Sequence, residues 1–76
     1  DQEALSFVIN EHIQKGFFLY INDWRIEEVK KRLNDKEYNH HKMLTIAFDC
    51  GFNSKSTFNL AFRKSTGLSP SEYRKR

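Results

Sequence analysis

The feature of the sequence that most constrains the fold is Gly51, which lies between two short segments with the apolar spacing of a helix. Before Gly51, apolar residues recur at helical spacing and predict a short helix with a buried stripe of Leu44, Ala47 and Phe48. Gly51 ends that helix, because glycine enters the left-handed backbone conformation without the steric penalty of a Cβ atom. The sequence therefore predicts a tight turn here, with a second helix behind it.

The second predicted helix runs from 54 to 66. Ser54 or Asn53 is its N-cap, because either side chain can accept a hydrogen bond from a free amide of the first turn. Its apolar side carries Phe58, Ala61 and Phe62. A small alanine, a glycine four residues later and a capped helix behind it are typical of a helix-turn-helix.

The opposite face of this second helix is polar. At about 100° per residue, it presents hydroxyl, amide and cationic groups together with one leucine. These residues are Ser56, Asn59, Leu60 and Arg63, with Lys55 flanking them. Such groups suit a helix that reads base edges in the major groove. A solvated polar face is the common alternative, since most surface helices have one.

A third short helix is predicted after Gly67, which caps the second one. Ser69 and Glu72 have the spacing of a capping box, and Pro70 occupies the first helical position, where its missing amide costs nothing. Tyr73 would then pack back on the core. The segment thus predicts a three-helix unit.

The residues from 46 to 74 resemble the signature of the AraC/XylS family of bacterial transcription regulators. The matching residues are Ile46, Ala47, Gly51, Phe52, Phe58, Phe62, Arg63, Lys64, Gly67, Ser69, Pro70, Tyr73 and Arg74. The resemblance implies an all-α fold, in which a homeodomain-like helix-turn-helix is joined by a long linking helix to a second, partial one. It also implies sequence-specific binding of double-stranded DNA. The family usually has arginine where this chain has Leu60, which allows apolar contact with a thymine methyl group instead.

The resemblance divides the chain into three parts. Residues 43–76 form a complete C-terminal helix-turn-helix, and residues 17–34 form the linking helix. Residues 1–16 are the recognition helix of a first unit whose two preceding helices are absent, so the chain looks like a truncated fragment. A degenerate repeat supports this division, although four apolar matches also fit a generic amphipathic helix. When the N-terminal segment is shifted by 53 positions along the sequence, it aligns with the second helix-turn-helix. Leu5 then falls on Phe58, Val8 on Ala61, Ile9 on Phe62 and Tyr20 on Tyr73.

The linking helix is expected to begin after a break at residues 14–16 and to carry two apolar stripes. One stripe contains Phe17, Tyr20, Ile21 and Trp24. The other contains Phe18, Asn22, Ile26, Val29 and Leu33. Arg25 lies between them and resembles the family's internal ion-pair residue. On the exposed face, Glu27–Lys31 and Glu28–Arg32 have the i,i+4 spacing of ion pairs.

Charge is distributed unevenly along the 76 residues, whose net charge is +3. Residues 1–50 carry 7 Lys and Arg against 9 Asp and Glu, a net −2, whereas residues 51–76 carry 6 against 1, a net +5. The basic part coincides with the helix-turn-helix, which favours a polyanionic partner. A solubilising basic tail at residues 74–76 is the alternative for half of this excess.

Other classes of function find little support in the sequence. No apolar run is as long as a membrane span, and the single cysteine fits a reducing cytoplasmic setting. We expect Cys50 to be a small buried side chain. His40 and His41 lie in the polar connection 34–42 and are expected to be solvated and not to bind metal. There is no nucleophile–base pair, paired-carboxylate motif or phosphate loop, so neither catalysis nor a cofactor is predicted.

The resemblance assigns roles to individual residues. Base edges are assigned to Lys55, Ser56, Asn59 and Leu60. Phosphates are assigned to Ser54, Arg63, Lys64 and Arg74. In the first unit the candidates are Gln2, Glu3 and Ser6. The alternative is an interaction module that binds RNA polymerase or a second protomer, with self-association through apolar surface near Leu5, Val8 and Ile13.

Overall fold

The computed structural model describes residues 2–76, and their side chains from residue 10 onward. This part of the chain is all-α, as predicted. Its helices are α1 (Gln2–Leu33), a short 3₁₀ helix (Lys36–Tyr38), α2 (Met43–Asp49), α3 (Lys55–Thr66) and α4 (Pro70–Lys75). Within these residues, no helix is long and apolar enough to cross a bilayer.

The hydrophobic core lies between the C-terminal half of α1 and the three helices that follow it. It consists of Ile26, Val29, Ile46, Ala47, Phe52, Phe58, Phe62 and Tyr73. Four of these side chains form a continuous row of edge-to-face aromatic contacts, with ring centroids 5.3 Å apart for Phe52–Phe58, 5.7 Å for Phe58–Phe62 and 5.2 Å for Phe62–Tyr73. Such geometry places the positive edge of one ring on the negative face of the next. The row links the turn, α3 and α4.

The turn between α2 and α3 is built as the sequence predicts. Gly51 has φ of 110°, a value that favours glycine. The amide of Phe52 donates to the carbonyl of Ala47, with an N···O distance of 3.1 Å, and the Phe52 ring is buried. Ala47 is fully buried beside it. The turn therefore anchors both of its ends in the core.

The predicted caps of α3 and α4 are confirmed. Ser54 Oγ accepts from the amide of Thr57. Gly67 has φ of 77° and caps the other end of α3. At the start of α4, Glu72 N donates to Ser69 Oγ while Ser69 N donates to the Glu72 carboxylate. The hydrogen bond that the Ser69 amide donates to the Glu72 carboxylate is the main cause that lowers the pKa of Glu72.

The predicted break at residues 14–16 is wrong, because α1 is one continuous helix of 32 residues. Glycine ends a helix only where its backbone enters the left-handed region, and Gly16 is not among the positive-φ residues. A glycine inside a helix costs only about 1 kcal/mol relative to alanine, so the helical residues on both sides can override it.

Replacing Gly16 with alanine is therefore expected to stabilise α1 by about 0.5–1 kcal/mol. A Cβ atom at this position would meet nothing within 4 Å. Amide hydrogen exchange of residues 12–20 and helicity by circular dichroism would measure the gain. Gly67→Ala is the matched control: there too a Cβ would meet nothing, but φ of 77° makes alanine destabilising. If Gly16→Ala lowered the protection of the amides from hydrogen exchange, as Gly67→Ala is expected to do, Gly16 would be a helix cap and the predicted break would stand.

The two predicted stripes of α1 differ in their environment. In the second stripe, Ile26 and Val29 are fully buried and Leu33 packs against the core, whereas Phe18 is 63% exposed. The first stripe was expected to face a neighbour, but Phe17 and Trp24 are 61% and 71% exposed. The core ends near residue 26, and α1 extends beyond it in a molecule of 55 × 22 × 17 Å. The part of α1 between residues 13 and 24 thus carries apolar surface that no described side chain covers.

Two side-chain predictions in α1 and α2 need correction. Phe48 is half-exposed and not part of the buried stripe, whereas Ile46 is buried beside Ala47. The predicted Leu44 and Ala47 do pack in or against the core, together with Met43 and Ile46. In place of the two predicted i,i+4 pairs, Glu27 pairs with Lys30 at 3.0 Å and Glu28 with Lys31 at 4.0 Å, both at i,i+3 spacing.

The connection 34–42 is polar, as predicted, but contains the 3₁₀ helix. Asp35 caps it by accepting from the amide of Glu37. Tyr38 packs partly against the core, with the Arg32 guanidinium 5.5 Å from its ring centroid. Cys50 is only partly buried, and this burial raises the pKa of its thiol.

Candidate nucleic-acid interface

Helix α3 presents a polar, exposed face opposite its buried phenylalanines. Phe58 and Phe62 have no solvent-accessible surface and fix the rotation of the helix about its axis. The exposed face carries Lys55, Ser56, Thr57, Asn59, Leu60, Arg63 and Lys64. Since the anchoring rings are packed on both sides by other aromatic rings, this face is held in one orientation relative to the turn and α4.

The N-terminal end of α3 is organised by Ser54. Its hydroxyl accepts from the amide of Thr57 at 3.1 Å and donates to the hydroxyl of Thr57 at 2.9 Å. The amides of the first helical turn have no partner within the helix and favour a negative charge nearby. Because Ser54 Oγ is occupied as a cap, a phosphate at this end would meet backbone amides and Lys55 first.

Thr57 is exposed on the same face as the predicted residues, and sequence reasoning missed it. The signal was its place three residues after the N-cap. A hydroxyl there can bond the cap side chain, as Thr57 does with Ser54. That hydrogen bond orients a polar group on the outward surface of the first turn.

The two cations at the C-terminal end of α3 have different surroundings. Arg63 is exposed and makes no salt bridge with any described side chain. Lys64 lines an open cleft between α1 and α3, together with Asp23 and Glu27. Carboxylates beside Lys64 reduce the positive potential that it offers to an anion. Arg63 in turn helps to lower the pKa of the Glu72 carboxyl, so both cations have an acidic neighbour and both are candidates for a phosphate contact.

Arg74 has a structural contact that the sequence did not reveal. Its Nη2 donates to the carbonyls of Tyr38 at 2.8 Å and Asn39 at 3.2 Å, which ties α4 to the 3₁₀ helix. The guanidinium of Arg76 lies 4.0 Å from the centroid of the Tyr73 ring. The basic C-terminal residues thus pack partly against the protein and are not a fully solvated tail.

Arg25 does not form the predicted internal ion pair with any described side chain. Its Nη1 donates to Asn22 Oδ1 at 3.3 Å, and its guanidinium lies 5.8 Å from the centroid of the Phe52 ring. The side chain also lies against Gly51, where a Cβ atom would sit 2.9 Å from Arg25 Nε. Arg25 therefore supports the turn that precedes α3. The remaining candidates, Gln2, Glu3 and Ser6, lie outside the described side chains.

The match to known families covers the whole sequence: residues 1–76 fit the model of a helix-turn-helix domain. The chain belongs to the AraC-type helix-turn-helix family. It is 40% identical over 60 residues to the Escherichia coli protein named uncharacterized HTH-type transcriptional regulator YijO, a match that covers 79% of this chain and 20% of that protein.

Two other relatives agree with this assignment. The melibiose operon regulatory protein of Escherichia coli is 41% identical over 56 residues, covering 74% of this chain and 18% of that protein. A putative AraC-like transcription regulator of Streptomyces lividans is 30% identical over 63 residues, covering 83% and 20%. The chain thus spans about a fifth of the length of the curated relatives it matches. No solved structure matches it significantly.

The comparisons confirm the resemblance to AraC-type regulators and support a general role in DNA-binding regulation. The family is one of transcription regulators and not of enzymes. The helix-turn-helix of this chain consists of α2, the turn at Gly51 and α3, and α4 follows it. The residue-level contacts with DNA remain predictions.

Proposed function

We propose that this chain binds double-stranded DNA sequence-specifically by inserting α3 into the major groove, as part of a bacterial transcription regulator in the cytoplasm. The observation that supports this most is the division of α3 into a fully buried aromatic side and an exposed side of hydroxyl, amide and cationic groups. A helix of about 10–12 Å diameter fits a major groove about 12 Å wide.

The roles of the side chains follow from their chemistry. Asn59 and Ser56 offer donors and acceptors to base edges, and Lys55 donates at the N-terminal end of α3. Arg63 contacts a phosphate, with Ser54 and Lys64 as further phosphate contacts. Arg74 joins this set through the guanidinium nitrogens that are not bonded to Tyr38 and Asn39.

Selection of bound duplexes from a random pool, followed by a salt titration, tests the proposal. The selected duplexes should share one motif, and the logarithm of the binding constant should fall steeply and linearly with the logarithm of salt concentration. The slope is expected to be about −0.9 for each phosphate that a cation neutralises. Failure to retain any duplex at low salt would reject DNA binding.

A second candidate function is self-association through α1. It is favoured by the exposed apolar residues between positions 13 and 24 of that helix. Four of them, Ile13, Phe17, Tyr20 and Trp24, follow the alternating spacing of four and three residues with which helices pair. Sedimentation equilibrium tests it: a dimer that Phe17→Ser dissociates supports self-association, and a monomer at all concentrations rejects it.

A further inference from the structure

One leucine interrupts the polar face of α3. Leu60 is 73% exposed, the largest value among the large apolar side chains of the described residues. Ser56 lies one turn before it, and Arg63 lies one turn after it. Single exposed leucines are common on proteins, so it is the position of Leu60 that carries the argument.

Leu60 cannot reach the core. Phe58 and Phe62 flank it in sequence, are fully buried and point to the other side of the helix. Any rotation of α3 that buried Leu60 would expose at least one of these fully buried rings, which would offset the gain. The leucine is therefore held outward at the middle of the surface that would enter a groove.

The major groove offers one apolar group to such a side chain. Thymine presents its C5-methyl group there, whereas the other base edges present hydrogen-bond donors and acceptors. A leucine placed against a donor or acceptor would leave that group without a partner, which costs free energy. When the leucine packs against a thymine methyl group, the apolar surfaces of both groups are removed from water.

The surrounding charge is consistent with DNA and not with an apolar protein partner. Lys55 and Arg63 lie on the same face, and neither forms a salt bridge with a described side chain. A docking surface for an apolar partner would place these charges against it without compensation. We infer that Leu60 reads a thymine methyl group at the centre of the site contacted by α3, an inference that rests on the proposed DNA binding.

Replacement of thymine by deoxyuridine tests this inference, because it removes only the methyl group. In a duplex selected by the protein, each thymine is replaced in turn and the dissociation constant is measured. At one position we expect the affinity to fall about fourfold, which is the effect of no longer burying one methylene-sized group. Leu60→Ala should bind the thymine and deoxyuridine forms of that duplex equally. Its thermal unfolding should match the wild type, since Leu60 is exposed.

Leu60→Arg supplies a second, positive test. Arginine pairs with the N7 and O6 atoms of guanine, so repeating the selection with this variant should replace thymine by guanine at the same position. Binding that is steep in salt, together with no effect of deoxyuridine, would overturn the role of Leu60 and leave the proposed function intact. If neither protein selects any duplex, both are overturned.

Discussion

Phe62→Ala is expected to unfold the helix-turn-helix. The ring is fully buried and lies between Phe58 and Tyr73 in the aromatic row. Truncation of such a side chain costs about 3–5 kcal/mol, through lost burial and the cavity that remains. A domain of this size has a total stability of roughly 4–11 kcal/mol. The midpoint of thermal unfolding, followed by circular dichroism, should therefore fall by about 15–30 °C, if a folded state persists at all.

Phe48→Ala is the matched control, since the same atoms are removed from a side chain that is 48% exposed. The loss of stability caused by Phe48→Ala should be a small fraction of the loss caused by Phe62→Ala. Similar losses for the two variants would contradict the core described here. They would indicate that α2 packs through Phe48, as the sequence alone suggested.

The second large effect concerns charge. The double variant Arg63→Gln, Lys64→Gln removes the two cations of α3 that are assigned to phosphates, and it should weaken binding to every duplex by roughly 10²-fold at 0.1 M salt, because each neutralised phosphate contributes a slope of about −0.9. The slope of the salt titration should itself fall by about 2 in magnitude. Both side chains lie in the last turn of α3, so the loss of affinity reports the contact of that end of the helix with phosphates.

Lys31→Gln, Lys36→Gln changes the net charge equally at exposed positions outside α3. This control should keep most of the affinity and nearly all of the salt slope. If both double variants lost the same affinity for DNA, binding would depend on net charge alone. In that case α3 would have no special place in the contact with phosphates.

Local chemistry made part of the fold predictable. The turn at Gly51, the Ser54 and Gly67 caps and the capping box at Ser69 each depend on a few adjacent residues, so the sequence contains all that is needed. The continuity of α1 is different. Glycine and its neighbours are compatible with a cap or a helix interior, and only the path of the backbone at Gly16 distinguishes the two.

Packing between distant segments could not be predicted in the same way. The burial of Ile46 instead of Phe48 depends on the side from which α1 approaches α2. The contact of Arg74 with the Tyr38 carbonyl joins residues 36 positions apart, and no spacing in the sequence indicates it. The exposed face of α3 was predictable because helical periodicity and the buried phenylalanines define it, but the hydrogen bond that the Ser54 hydroxyl donates to the Thr57 hydroxyl was not predicted.

The central claim is that the exposed side of α3 reads base edges, and Asn59→Ala tests it most directly. Its dissociation constant should be measured on a selected duplex and on a scrambled duplex of the same composition. On the selected duplex we expect a loss of about 1–3 kcal/mol in binding free energy, or a dissociation constant roughly 5- to 150-fold higher, because an amide paired with a base is removed. Binding to the scrambled duplex should not change. Equal losses on the two duplexes would contradict base reading by this face.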